Sequence, residues 1–245
     1  MKLVLADGGD RERALHLAGE LEAEIVGAGT VDPSELVLAL DAQGLALVRD
    51  GMEVRGDFSK MLPRAKQGAL QRELLVKAAR LKGVEQPTAF DATAGLGEDS
   101  FLLASAGFKV TLCEFDPVIA ALLRDAVDRA RADERTAAAA ARMTVVRGDS
   151  KEILDGLSQA PDVVYLDPMF PTRTKSAAVK KKFQLIHDLE APCTDEHELV
   201  QAALVAHPRK VVIKRPIKGA FLDGIKPSHS VSGKAVRYDC IVLPR

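Results

Sequence analysis

The stretch that decides the fold is FDATAGLG, residues 90–97. Gly95 and Gly97 tolerate positive φ and let a ligand approach the backbone closely. Residues 100–106 predict a helix, so this turn joins a strand to a helix N-terminus, which is typical of a cofactor cradle. The turn lacks the third glycine of a dinucleotide-binding turn, and Asp91 beside it disfavours a pyrophosphate and favours a cation. We therefore expect S-adenosylmethionine, which carries a sulfonium and an ammonium group; an ordinary tight turn is the alternative.

The next two predicted strands also end in polar side chains. Residues 108–114, FKVTLCE, place Glu114 about twenty residues after the glycine turn, where an acid hydrogen-bonds a ribose diol. Residues 143–150, MTVVRGDS, end in Asp149 and Ser150, which can reach an adenine amino group or flank the methionine part of the cofactor. Taken singly, each acid is more often a helix cap or a solvated turn.

A fourth strand is predicted within VVYLDPMFP, residues 163–171. An apolar run bounded by breakers indicates a buried strand, and proline cannot donate to a sheet ladder, so the strand must stop near Asp167. Asp167 and Phe170 then lie on a stiff loop at the carboxyl end of the strand, where open α/β sheets bind ligands. A carboxylate that accepts from an amine, next to a ring that stacks, suits a nucleobase. The alternative is a proline-rich turn without a function.

Acids therefore follow four strands in order, at Asp91, Glu114, Asp149 and Asp167. Helix-period and strand-period runs alternate between them, which predicts an α/β fold with a mainly parallel sheet. Because the carboxyl ends of parallel strands share one edge, the four acids should lie along the same edge. The series predicts a Rossmann-like class I SAM-dependent methyltransferase sheet.

The chain of 245 residues is long enough for one large domain with a small appendage. Residues 1–60 are predicted to form a small N-terminal α/β subdomain, and residues 61–245 the methyltransferase domain. A helix is expected near residues 70–81, and the alanine-rich residues 133–142 are expected to extend the helix that follows Glu114. Residues 236–243 predict a last strand, antiparallel to its neighbour.

The net charge is only −1, but basic side chains cluster locally. Residues 173–182 contain five Lys or Arg side chains and no acid, and a basic excess continues from residue 208. Such segments indicate an anion-binding face, with ordinary solvated side chains as the alternative.

Metal and membrane association are not expected from the sequence. The three cysteines and five histidines have no metal-ligand spacing, so no metal site is expected. The cysteines are expected to be reduced thiols in the cytoplasm. Neither an apolar membrane span nor a signal peptide is expected.

These motifs resemble the bacterial small-subunit ribosomal RNA guanine-N2 methyltransferase family, of RsmJ type. The resemblance runs from about Val54 to the C-terminus, and its most specific part is residues 165–181. It implies transfer of a methyl group from S-adenosylmethionine to N2 of a guanosine in small-subunit (16S) ribosomal RNA. The substrate would be the RNA or the 30S subunit, and the enzyme a monomer without a metal. The alternatives are amino-methylation of DNA adenine or of protein glutamine, and a non-catalytic rRNA-binding assembly factor.

The candidate site residues fall into three groups. Those expected to act in catalysis are Asp167, Pro168 and Phe170. Those expected to bind the cofactor, several of them by resemblance alone, are Asp91, Gly95, Gly97, Glu98, Asp99, Glu114, Phe115, Asp149, Ser150 and Asp167. Those expected to bind RNA are Arg173, Lys175, Lys180, Lys181, Lys214 and Arg215.

Overall fold

The computed structural model describes residues 1–168, 185–186, 189 and 196–244. Within these residues the strands form one sheet of five strands and one of seven. The smaller sheet lies at the N-terminus and comprises β1 (Lys2–Leu5), helix α1 (Arg11–Leu21), β2 (Glu24–Gly27), β3 (Val37–Asp41), β4 (Gly44–Arg49) and β5 (Met52–Val54). Its strand order is β2-β1-β3-β4-β5, with β1 parallel to both of its neighbours.

Short helical segments connect the two sheets. They are a 3₁₀ turn (Phe58–Met61), α2 (Leu62–Ala65), α3 (Gln67–Leu70) and α4 (Leu74–Ala79). The larger sheet and its helices follow as β6 (Thr88–Asp91), α5 (Glu98–Ser105), β7 (Lys109–Glu114), α6 (Pro117–Ala132), α7 (Ala137–Ala140), β8 (Met143–Arg147), α8 (Ser150–Asp155), β9 (Val163–Leu166), α9 (Glu196–Val205), β10 (Lys210–Pro216), β11 (His229–Ser232) and β12 (Val236–Val242).

The order of the larger sheet is β8-β7-β6-β9-β10-β12-β11. Strands β6 to β10 pair in parallel, and β12 runs antiparallel to both β10 and β11. The chain first moves outward from β6 to β8 and then returns to β9 on the other side of β6. This reversal between β6 and β9 is the point at which open α/β sheets bind ligands. The predicted Rossmann-like fold is confirmed, and so is the antiparallel last strand.

The N-terminal sheet packs against α6 of the larger unit. Leucines of β3 and β4 share one apolar cluster with Val118, Ile119 and Leu122 of that helix. Asp125, whose side chain is fully buried, accepts hydrogen bonds from Arg13 at 2.6 Å and from Arg129 at 2.7 Å. The N-terminal sheet and the larger unit therefore share an apolar cluster and an ion pair. The division of the chain into two domains near residue 60 stays a prediction.

Two predicted helices differ in the structure. The alanine-rich residues 133–142 do not extend α6, which ends at Ala132. The hydroxyl of Thr136 donates to the carbonyl of Ala130 at 2.7 Å, and the Asp133 carboxylate accepts from the Arg135 N–H at 2.9 Å. Such local side-chain bonds compete with the helical ladder, so a separate short helix, α7, follows the break.

The helix predicted near residues 70–81 is divided into α3 and α4. The break lies at Glu73, whose ψ of 128° is not helical. The carboxylate of Glu73 is held by the guanidinium of Arg64 in α2, at 2.7 Å and 2.9 Å. This contact between two neighbouring short helices stabilises a turn that the local apolar pattern did not reveal.

Candidate active site

The glycine-rich turn between β6 and α5 forms the floor of the candidate site. Gly95 and Gly97 both have positive φ, at 53° and 78°. A Cβ on Gly97 would lie 2.6 Å from Leu123, so packing and backbone conformation both require glycine there. A Cβ on Gly95 would meet nothing within 4 Å. The turn is therefore packed tightly at Gly97 and has open space at Gly95, which leaves room for a ligand near the backbone.

Asp91 lies beneath this turn and organises it. Its side chain is buried and accepts from the Ser100 hydroxyl at 2.6 Å and from the Thr93 N–H at 3.1 Å. Burial raises the pKa of Asp91 to about 7, although these hydrogen bonds oppose the shift. Direct contact of Asp91 with the cofactor remains a prediction.

Glu114, at the end of β7, is tied to the same turn. One carboxylate oxygen accepts from the Gly95 N–H at 2.9 Å and the other from the Asp116 N–H at 2.9 Å. Burial raises the pKa of Glu114 above its ordinary value, against these two hydrogen bonds. Each oxygen keeps a further lone pair, so the carboxylate can accept from the two hydroxyls of a ribose diol.

Three further residues expected to contact the cofactor, Phe115, Asp149 and Ser150, follow the ends of β7 and β8. Phe115 is 72% exposed, which leaves its ring face available to a flat ligand. Asp149 caps α8 by accepting from the Lys151 N–H at 2.9 Å, and Ser150 is largely buried. The Gly148 N–H donates to the Glu114 carbonyl at 3.0 Å, so the ends of β7 and β8 meet as predicted.

Asp167, directly after β9, lies on the other side of the turn. Its N–H donates to the Thr93 hydroxyl at 2.7 Å, which fastens the loop after β9 to the glycine turn. Lys214 of β10 donates to one Asp167 carboxylate oxygen at 2.7 Å and to Asp99 at 2.8 Å. The Tyr165 hydroxyl donates to the same Asp99 oxygen at 2.6 Å. We call Asp99, Lys214 and Asp167 the ion triad.

Burial and charge oppose one another within the ion triad. Burial raises the pKa of Asp167, and the ammonium of Lys214 limits that rise. Burial disfavours the charged form of Lys214, but the two carboxylates outweigh it and raise the pKa of Lys214 above its ordinary value. Lys214 is therefore a permanent cation at neutral pH, shared by two acids.

The structure brings most of the predicted cofactor residues to one edge of the sheet. Hydrogen bonds connect Asp91, Gly95 and Glu114 through the turn, and Thr93 connects that turn to Asp167. Glu98 is exposed in the first turn of α5. Pro168 is buried directly after Asp167. The predicted residues Phe170, Arg173, Lys175, Lys180 and Lys181 lie outside the described residues.

Lys214 and Arg215 are both engaged by groups of the protein itself, and the RNA contacts expected of them remain a prediction. Lys214 is engaged by Asp99 and Asp167, and Arg215 is buried and donates to the Ala220 carbonyl at 2.9 Å. Both cations therefore stabilise the protein's own acids and carbonyls. The sequence placed them correctly at a strand end but could not show which neighbours they meet.

Three features of the site fit S-adenosylmethionine. The space at Gly95 is open, the Glu114 carboxylate accepts from the Gly95 N–H beside that space, and the acids Asp91 and Asp167 are hydrogen-bonded to Thr93 of the same turn. Over the described residues, His, Cys, Asp and Glu form no group that could hold a metal ion, and no helix is long and apolar enough to cross a membrane. The fold and the site together define a class I SAM-dependent methyltransferase.

Comparisons with known proteins narrow this class. The model of the SAM-dependent methyltransferase family matches residues 26–243. Proteins named ribosomal RNA small subunit methyltransferase J are similar over most of the chain. The one from Thioalkalivibrio sulfidiphilus is 44% identical over 95% of this chain and 93% of its own length. The one from Pseudomonas aeruginosa is 43% identical over 85% and 82%.

A solved structure agrees with these relatives. The crystal structure of a SAM-dependent methyltransferase from Neisseria gonorrhoeae is 30% identical, with a TM-score of 0.78, over 99% of this chain and 96% of that one. The chain therefore belongs to the SAM-dependent methyltransferase family, in the group formed by the ribosomal RNA small subunit methyltransferases J. S-adenosylmethionine is its cofactor.

Proposed function

We propose that this protein methylates the exocyclic N2 amine of a guanosine in small-subunit ribosomal RNA. The observation that carries the proposal is the half-buried Asp167 carboxylate, fastened through Thr93 to the turn that cradles the cofactor. A carboxylate beside the cofactor turn suits an amine nucleophile, because it can accept the N–H bonds of that amine. The names of the relatives supply the RNA class.

The residues of this chain act mainly by positioning. When bound, S-adenosylmethionine supplies an activated methyl group on its sulfonium. The lone pair of a guanine amine is delocalised into the ring, so the amine must be held in an orientation that directs this pair at the methyl group. Asp167 and the Pro168 carbonyl accept its N–H bonds, and Phe170 stacks on the base. Good orientation can lower a reaction barrier by about 7–11 kcal/mol, and this positioning supplies part of that amount.

The RNA must present its base outside the helical stack. A guanine inside a duplex cannot reach Asp167, so a loop or helix-end guanosine is the expected target. Phosphate contacts are proposed for Arg173, Lys175, Lys180 and Lys181. The protein is proposed to act as a cytoplasmic monomer on free RNA or on the 30S subunit.

The proposal is tested with purified protein, isotope-labelled S-adenosylmethionine and either free 16S RNA or 30S subunits. The RNA is digested to nucleosides and the products are identified by mass spectrometry. We expect N2-methylguanosine from the parent protein and none from Asp167→Ala. The matched control is Asp155→Ala, an exposed acid at the end of α8, which should retain full activity.

Three outcomes would contradict the proposal. In parallel assays with DNA or with the protein fraction of the 30S subunit, labelled N6-methyladenine or methylated glutamine would identify a different amine. Calorimetric binding of S-adenosylmethionine without transfer to either RNA form would indicate a non-catalytic assembly factor. Full activity of Asp167→Ala would place the chemistry at another residue.

A further inference from the structure

We infer that Lys214 is a positioning residue that keeps Asp167 ionised and oriented toward the substrate amine. Asp99 is the second acid that Lys214 contacts, and it holds Lys214 in place. The inference rests on the proposed function, because it concerns how the proposed acceptor works. It assigns to Lys214 and Asp99 roles different from the RNA and cofactor contacts expected from the sequence.

The geometry supports a positioning role. The Lys214 ammonium donates to one oxygen of Asp167 at 2.7 Å and to one oxygen of Asp99 at 2.8 Å. With one carboxylate oxygen fixed by a charge-assisted hydrogen bond, the rotation of Asp167 is restricted and its other oxygen has a defined direction. The Thr93 hydroxyl holds the backbone of Asp167 at 2.7 Å. The carboxylate is therefore fixed at both its backbone and its side chain.

Asp99 is fixed in turn by a second donor. The Tyr165 hydroxyl donates to the Asp99 oxygen that also receives Lys214, at 2.6 Å. Tyr165 is 1% exposed and cannot turn away toward solvent. Asp99 therefore holds Lys214 midway between two acids, and the side chains from α5, β9 and β10 form one connected network.

Burial, which raises the pKa of Asp167, and the charges around it together set its protonation state. The groups of the described residues that act on Asp167 or on its partners in the ion triad are Lys214 of β10, Asp99 of α5, Asp91 of β6, Tyr165 of β9, Tyr238 of β12 and Arg64 of α2. Only Lys214 among them contacts Asp167 with an opposite charge. A protonated Asp167 would donate where it must accept, so its ionised form is needed for the proposed reaction.

A purely structural role for Lys214 is the competing explanation. In that case substitution would lower stability but would not move the titration of Asp167 in a direction set by charge. The two explanations separate when one variant removes the cation and another removes the competing acid. Lys214→Met and Asp99→Asn are these variants, and the asparagine oxygen can still accept from Lys214 and Tyr165.

The direct measurement is the titration of the Asp167 carboxyl carbon by ¹³C NMR, which needs neither RNA nor cofactor. Lys214→Met should raise the pKa of Asp167 by about one to three units, since an opposite charge at this distance lowers a carboxyl pKa by that amount. Asp99→Asn should lower it, because a like charge is removed. Lys214→Arg should stay close to the parent, and Lys218→Met, an exposed lysine on the same segment, should change nothing.

Methylation kinetics provide the second readout. In Lys214→Met, kcat at pH 7 should fall roughly ten- to a hundredfold, and the loss should shrink at higher pH as Asp167 ionises. The cofactor Kd and the KM for RNA should stay within about twofold. Lys214→Arg should restore most of the activity.

An unmoved pKa of Asp167 in Lys214→Met would overturn the inference, and so would a moved pKa with an unchanged kcat at pH 7. If Lys214→Met fails to fold, Asp99→Asn decides: a pKa of Asp167 that does not fall overturns the inference. Failure of the proposed function would be seen separately, as a parent protein that forms no N2-methylguanosine.

Discussion

Asp91 is the buried acid whose replacement tests the electrostatics of the cofactor turn most directly. The variant Asp91→Asn has the same shape. Its oxygen can still accept from the Thr93 N–H, and its amide can donate to the Ser100 hydroxyl, which is able to accept. The substitution therefore removes the titration of Asp91 while it preserves the hydrogen-bonded turn.

The expected effect has a defined sign. The pKa of Asp91 is raised from 3.8 to about 7, so the folded protein holds a proton that the unfolded chain has released over this interval. The associated stability is complete below pH 3.8 and is lost as the pH rises through about 7. A difference of about three units, at about 1.4 kcal/mol each, makes the loss roughly 4 kcal/mol in the parent.

Urea unfolding of parent and variant between pH 4 and pH 8 measures this loss. Groups distant from Asp91 titrate equally in both proteins, so the difference in unfolding free energy reports on Asp91 together with Asp99 and Asp167, whose charges act on it. The variant should become more stable relative to the parent as the pH rises. A constant difference over this range would show that Asp91 is ionised throughout, which would refute the reasoning.

The cofactor gives an independent check on the same acid. A cation bound near Asp91 favours the ionised carboxylate, so binding of S-adenosylmethionine should release a proton from the parent. Its affinity should then increase with pH between pH 5 and pH 7 in the parent and remain flat in Asp91→Asn. Calorimetry in buffers of different ionisation enthalpy measures the released proton.

Further predictions concern other residues. Glu114→Ala should weaken cofactor binding roughly tenfold or more, because a charged hydrogen bond is worth about 1.5–3 kcal/mol; unchanged affinity by calorimetry would exclude the ribose contact. Gly97→Ala should lower the unfolding free energy by about 1–3 kcal/mol, because its Cβ would meet Leu123 at 2.6 Å. Gly95→Ala, where space is open, should mainly weaken cofactor binding, and equal effects of the two glycine variants on stability would contradict this packing. Lys210→Met should lower the unfolding free energy by about 1–3 kcal/mol, because the buried ammonium donates to two carbonyls at the end of α4. An unchanged unfolding free energy in urea would show that water replaces the ammonium as the donor.

The strands and the acids that follow them could be predicted from local sequence. Apolar runs ending at Asp91, Glu114 and Asp167, with glycine or proline just beyond, are signals contained within a few residues. The strands β6, β7 and β9 end where these signals place them. The alanine-rich residues 133–142 show the limit, because a bond from Thr136 back to Ala130 ended the helix against its propensity.

The roles within the candidate site depended on longer distances along the chain. Lys214 meets Asp99 and Asp167 across 115 and 47 residues of sequence. From the sequence alone, Lys214 is a cation at a strand end, which indicates a phosphate contact as readily as an ion pair within the protein. Only the pairing of β10 with β9 places its ammonium between two acids.

The sequence by itself determined the α/β class, the glycine-rich turn and the acids along one sheet edge. It could do so because strand ends, turns and helix starts follow from the conformational preferences of neighbouring residues. The tertiary structure alone decided what each acid does. Asp91 is buried beneath the turn, Glu114 holds the Gly95 N–H, and Asp167 shares a cation with Asp99. Burial and charge pairing depend on which strands lie side by side, and strand order is set by packing of the whole chain.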